Sequence, residues 1–173
     1  MAGHYGHRIL RRSTDEDGQQ RPADSMGFDR CGVSDRMGGR IVSGPEVGRW
    51  VAMQMNGTYG RDNSTAIGLE TDNGIIAGVI YENWNGKSLV VHLAIKGRVT
   101  RSFLGAIFRY GFVTCGIEKA IAPISSGNQK IISFVKKVGF IEEARITDAA
   151  PDGDIILYTL KKADCRYLGE RYG

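Results

Sequence analysis

The chain has 173 residues, 42% of them hydrophobic, with a net charge of +4 and a pI near 9.0. That length and composition fit one domain with a real core, and three cysteines (Cys31, Cys115, Cys165) are too few and odd in number for a disulfide framework. No apolar run approaches membrane-spanning length, residues 1–30 lack a signal-peptide core, and no Cys/His spacing suits a metal; reduced thiols and a cytoplasmic setting are the default expectation.

Residues 1–38 are rich in Arg, Asp, Gly, Gln and Ser and carry few large apolar side chains. Such a segment cannot bury enough surface to offset its ordering entropy, so it is expected to be a disordered extension preceding one domain over 39–173. Met26 and Met37 each offer an alternative start, and His4 and His7 do not make a metal-binding tract. Six arginines offset six acids in residues 1–36, so the positive surplus lies downstream. No arginine-rich helix or basic run with interleaved aromatics accompanies it, which disfavours nucleic acid as a partner without excluding it. An acidic or phosphorylated small ligand accounts for the charge equally well.

The globular pattern starts at Ile41. Ser43-Gly-Pro-Glu46 opens a short helix, with Ser43 as its expected cap and Pro45 suited to the first turn. Ser64–Thr71 and Gly74–Tyr81 read as strands joined at Asp72-Asn-Gly74, where Asn-Gly suits a type I′ turn. Asn83-Trp-Asn-Gly86 turns into a third strand, Lys87–Ile95. After Lys96-Gly-Arg-Val-Thr-Arg101 the apolar period lengthens: Phe103, Leu104, Ile107, Phe108 and Phe112 mark a helix ending near Cys115-Gly116. A strand at Ala120–Ile124 precedes a helix with Ile131, Phe134, Val135 and Val138 on one stripe, Asn128 as its cap and Gly139 at its stop. Phe140–Ile146 and Asp154–Leu160 are the closing strands, with a turn at Ala150–Gly153. The order predicts an α+β fold: a mixed, mostly antiparallel sheet flanked by helices. The tail after Lys162, with Tyr167, Leu168 and Tyr172, is expected either to fray or to join an interface.

Strand, Asn-headed helix, then Gly139-Phe140 into another strand resembles the C-terminal half of a GNAT-family acyltransferase, and the element order extends the resemblance over about residues 41–162. The segments Ile41–Gly44, Tyr81–Gly86 and Asp148–Asp154 are also similar to small GNAT-like proteins encoded by tailed bacteriophages, for which the setting would be the host cytoplasm. The resemblance implies a sheet with splayed middle strands, here Leu89–Ile95 and Ala120–Ile124. It implies acetyl-CoA as cosubstrate and transfer to a primary amine of a small molecule, peptide or protein. Amides near Ala94 and Ile95 would then polarise the thioester carbonyl. The loop Lys96, Gly97, Arg98, Val99, Thr100 and Arg101 would take the pyrophosphate at a helix start, and Asn128 would touch the cofactor arm. GNAT proteins often dimerise, so a homodimer is a further expectation.

Two departures stand out. The family loop reads Arg/Gln-x-x-Gly-x-Gly/Ala, whereas here only Gly97 is present. The family's acid, a tyrosine in the signature helix, is matched by Val135, which leaves Tyr81 or Tyr158 as candidate acids. His92 is the one histidine after residue 38. It shares a strand face with Val90 and Ala94, and an ordinary imidazole suits deprotonation of an ammonium. Glu82, at the end of the preceding strand, is the second candidate base. Asp148, Asp152 and Asp154 are candidates for an acidic rim, and Trp50 and Trp84 for the walls of an acceptor cleft. The alternatives are a GNAT-fold binding protein of phage origin that has no turnover, or a nucleic-acid-associated protein.

Overall fold

The computed structural model describes residues 39–169 and 172. The expected disorder of residues 1–38 lies outside the described residues. Seven strands form one sheet: β1 (Arg40–Ser43), β2 (Ser64–Thr71), β3 (Gly74–Glu82), β4 (Ser88–Ile95), β5 (Lys119–Ser125), β6 (Ile141–Ala150) and β7 (Gly153–Lys161), in the order β1-β2-β3-β4-β5-β7-β6. Three helices accompany them: α1 (Pro45–Gln54), α2 (Arg101–Arg109) continued by a π turn over Tyr110–Thr114, and α3 (Gln129–Val138). All neighbouring strands are antiparallel except β4 and β5, which the α2 crossover makes parallel. The expected mixed, mostly antiparallel sheet is therefore observed.

Local chemistry explains most element ends. Pro45 sits in the first turn of α1, as its fixed φ predicts. Ser43, however, is no cap: its backbone belongs to β1, paired with Ile67, and Gly44 turns the corner at φ 113° with no side-chain cap. β1 escaped the sequence reading because four residues are too few to show a period. The β2–β3 turn also differs from expectation. Only Gly74 takes a positive φ, 92°, and Asn73 does not, so the turn is not type I′. The register shifts after Leu69, leaving Ile76 as an extra, bulged residue on β3.

The two faces of the sheet are covered differently. On one, Val47, Val51 and Ala52 of α1 pack on Ala66, Ile80 and Ala94. Gly68 and Gly78 let this helix approach: a Cβ there would lie 2.9 Å from Val47 and 2.6 Å from Val51. On the other face, Phe103, Ile107 and Phe108 of α2, with Ile131, Val135 and Val138 of α3, join Leu89, Val91, Ile124 and Tyr158 in the larger core. The described residues of the tail pack on this core. Tyr167 is buried and stacks on Phe108 with ring centroids 5.0 Å apart, Tyr172 meets Tyr167 edge-on, and a Cβ at Gly105 would collide with the Tyr172 carbonyl.

The signature helix α3 carries both expected caps. The Asn128 side chain accepts from the Ile131 N–H at 3.2 Å, and Gly139 is left-handed at φ 109°, with the Phe140 N–H reaching the Val135 carbonyl at 2.9 Å. Replacing Asn128 with alanine is expected to destabilise the fold by about 1 kcal/mol, read as a lower urea midpoint at unchanged slope.

Candidate active site

The parallel β4–β5 ladder has only three rows, Ser88–Lys119, Leu89–Ala120 and Val90–Ile121. Beyond them each strand continues, β4 to Ile95 and β5 to Ser125, so the sheet opens into a wedge. Which backbone groups face that wedge follows from the antiparallel partner. The Lys96 N–H donates to the Ile76 carbonyl at 2.8 Å, in the same register as the pairs Gly78–Ala94 and Ile80–His92. Hydrogen-bonded rows alternate with unbonded ones, so His92 and Ala94 bond toward β3, while Leu93 and Ile95 turn their N–H and C=O groups toward the wedge. Of the two amides expected there, Ile95 faces it and Ala94 does not. Leu93, which the sequence reading missed, is the second.

At the C-terminal end of β4 the chain passes over 96–100 into α2. The Lys96 and Gly97 N–H groups are both taken by Ile76, and a Cβ at Gly97 would lie 3.0 Å from the Ile76 side chain. Gly97 is thus explained by close packing against the β3 bulge. Among the described residues no backbone carbonyl takes the Arg98 or Val99 N–H. The Thr100 hydroxyl caps α2 by accepting from Phe103 N–H at 3.2 Å. Lys96, Arg98 and Arg101 are exposed and form no ion pair among the described residues. Three unpaired cations at a helix start make an anion-attracting corner at the mouth of the wedge.

The two candidate bases meet. His92 lies one residue pair past the last β4–β5 row on the α1 face, and its Nε2 is 2.7 Å from a Glu82 carboxylate oxygen. Their side chains are 23% and 35% exposed, enough to be reached from solvent. His92 Nδ1 is buried and has no partner among the described residues. A neutral ring donating from Nε2 to Glu82 keeps its lone pair on that Nδ1.

No family model matches this chain, and no curated protein does. Solved structures do resemble it. The spermidine/spermine N-acetyltransferase SpeG from Vibrio cholerae, in complex with manganese ions, superposes with a TM-score of 0.58 at 14% identity, over 73% of this chain and 94% of that one. Spermidine N-acetyltransferase from Vibrio cholerae in complex with CoA and spermine gives 0.52 at 17% identity, over 62% of this chain and 70% of that one. The chain has the GNAT acetyltransferase fold. The wedge between β4 and β5 is the splay that the sequence resemblance implied.

On this GNAT scaffold several expected residues are occupied elsewhere. Tyr81 is buried on the core face, opposite to His92. Its hydroxyl donates to the Ile107 carbonyl at 2.9 Å, and burial pushes its pKa well above the ordinary tyrosine value. Tyr158 is buried in the same core beneath Lys136. Neither phenol reaches the His92 side. Val135 is buried as well, so the signature helix presents no acid there. Two of the three aspartates, Asp152 and Asp154, spend their carboxylates on the protein, whereas the Asp148 side chain is exposed. Asp154 accepts from Arg145 at 2.8 Å and from the Asp148 N–H at 3.1 Å, and Asp152 accepts from the Ser125 hydroxyl. They tie the β6–β7 hairpin to the loop before α3. Trp50 packs half-buried beside α1's core, and Trp84 donates from its indole to the Cys115 carbonyl at 3.0 Å. Asn128 caps α3. Among the described residues no group of His, Cys, Asp and Glu could hold a metal, and no helix is long and apolar enough to cross a membrane.

Proposed function

We propose that this chain is an N-acetyltransferase that moves the acetyl group of acetyl-CoA to a primary amine. The observation that carries the proposal is the three-row β4–β5 ladder, which leaves the Leu93 and Ile95 amides facing a wedge whose mouth is flanked by Arg98 and Arg101. Those amides would bond the thioester oxygen as negative charge develops on it, with no reorganisation at the moment of reaction. The cationic corner at 96–101 would hold the diphosphate. On the α1 face, the amine's nitrogen bonds to the acyl carbon while its surplus proton passes to the hydrogen-bonded His92–Glu82 pair, whose side chains are 23% and 35% exposed, directly or through one water. The carbon–sulfur bond breaks and the thiolate leaves with its electron pair. Water supplies its proton, because Val135 stands where an acid would be and Tyr81 is committed to Ile107.

The similar proteins of Vibrio cholerae make spermidine and spermine the first acceptors to try, followed by other primary amines. Thiol release from acetyl-CoA that depends on the added amine, with the acetylated amine found by mass, is the expected result. Failure of every amine in a chain that also fails to bind CoA would remove the proposal.

One observation favours a second reading. Lys96 and Gly97 spend their N–H groups on Ile76, which leaves a sparser phosphate cradle than a glycine-rich loop offers. A GNAT-fold binding protein without turnover, of phage origin as its segments suggest, would fit that loop. It predicts no heat on titration with CoA.

A further inference from the structure

The core side of the wedge holds a cavity of about 40 Å³ between β4, α2 and α3. Leu89, Val91 and Leu93 line it from the strand, Phe134 and Val135 from α3, and Ile117 from below. Its lining is apolar apart from Tyr81, whose hydroxyl is turned to Ile107. Leu93 and Phe134 are the half-buried members and mark its opening, whereas Leu89, Val135 and Ile117 are fully buried. One water needs about 10–15 Å³ measured this way, so the space takes roughly three water-sized groups, and an apolar lining keeps it dry.

The cavity's place along β4 tells what would fill it. The cations lie at the C-terminal end of the strand, at 96–101, and the Leu93 and Ile95 amides come next. The β4–β5 ladder closes the wedge at the other end, from Val90 back to Ser88. A thioester anchored by its phosphates at the first and by its carbonyl at the second sends its acyl tail toward the third. Leu93, Val91 and Leu89 follow one another on the core face, about 13 Å from first to last at strand spacing, and they form the cavity wall in that direction. A valine at 135, where the family's tyrosine would stand, adds no phenol to this end, and that of Tyr81 is already turned to Ile107.

We propose that the cavity is an acyl-chain pocket, and that the chain accepts donors longer than acetyl by about two or three methylene groups, of butyryl to pentanoyl length. This rests on the acyltransferase reading above and specifies its donor. Each methylene fully moved from water into the cavity favours binding by up to roughly fourfold, so the two extra methylenes of butyryl-CoA, not completely buried, should make it bind about tenfold more tightly than acetyl-CoA. Hexanoyl-CoA should gain nothing further once the space is full.

The test is calorimetric titration of the full chain with CoA, acetyl-, butyryl- and hexanoyl-CoA, repeated on Gly111→Ala. Gly111 lines the cavity, and a Cβ there would lie an ordinary 3.6 Å from Ile117, so the added methyl fits and narrows the space. The parent should show the tenfold step at butyryl, and the variant should lose about threefold of it. Equal affinity for acetyl- and butyryl-CoA in the parent overturns the pocket and leaves the acetyltransferase reading standing. No affinity for any of them, CoA included, overturns both. The parent series needs no variant, so a Gly111→Ala chain that fails to fold does not blunt the result.

Discussion

The His92→Ala protein is expected to bind acetyl-CoA as tightly as its parent and to acylate a primary amine about 10²–10⁴-fold more slowly, the range lost with a positioned general base. Its fold should be unharmed. The substitution removes a buried Nδ1 that has no partner among the described residues, and leaves Glu82, which is 35% exposed and can take water in the ring's place. A merely structural histidine predicts the reverse, with lost stability and an intact rate. Glu82→Gln should give a smaller loss, on the order of tenfold to a hundredfold, by letting the ring turn away from its 2.7 Å partner. Because the two act as one unit, the double variant should be no slower than His92→Ala alone. Steady-state rates with saturating amine decide it, and an unchanged rate in His92→Ala would sink the base assignment.

The Arg98→Ala/Arg101→Ala protein is expected to lose about tenfold in affinity for CoA. Both guanidinium groups are exposed, so each contact with phosphate is worth about 0.5–1 kcal/mol, or roughly twofold to fivefold in affinity. The effect should shrink as salt is raised, since charges about 10 Å apart are already screened at 0.1 M. Arg109→Ala, exposed at the far end of α2, serves as the control and should bind CoA as the parent does. Parent-like affinity in the double variant would show that the phosphates lie elsewhere.

The legible parts of this chain are those where neighbours in sequence settle the matter. Asn128 and Gly139 bracket α3 because capping is chemistry within a few residues, and the stripe Ile131, Val135, Val138 is buried because a helix repeats every 3.6 residues. Strands β2, β3 and β4 were found to within about one residue of their ends for the same reason. Ser43 was misread because a good cap residue was already claimed by pairing with Ile67, 24 positions away. The Asp72-Asn-Gly74 turn is not of its expected type, and the bulged Ile76 just beyond it bonds the Lys96 and Gly97 amides, partners that lie about 20 residues on and that no local pattern records. The tail was illegible because Tyr167 finds its partner in Phe108 of α2, far back in the chain, and Tyr172 packs on Tyr167 and against Gly105.

The candidate site divides along the same line. Composition, period and caps determined the element order, and hence a mixed sheet flanked by helices, because each is a local preference summed along the chain. It was the family resemblance, and not composition, period or caps, that pointed to His92, Glu82 and the cations at 96–101. Only the tertiary structure decided that His92 and Glu82 meet, since their contact depends on β3–β4 register. It also decided that Ile95 and Leu93, rather than Ala94, face the wedge, since amide direction flips with each residue of a ladder. Where that ladder stops, after Val90 and Ile121, is set by packing on both faces at once, and no run of neighbouring residues records it.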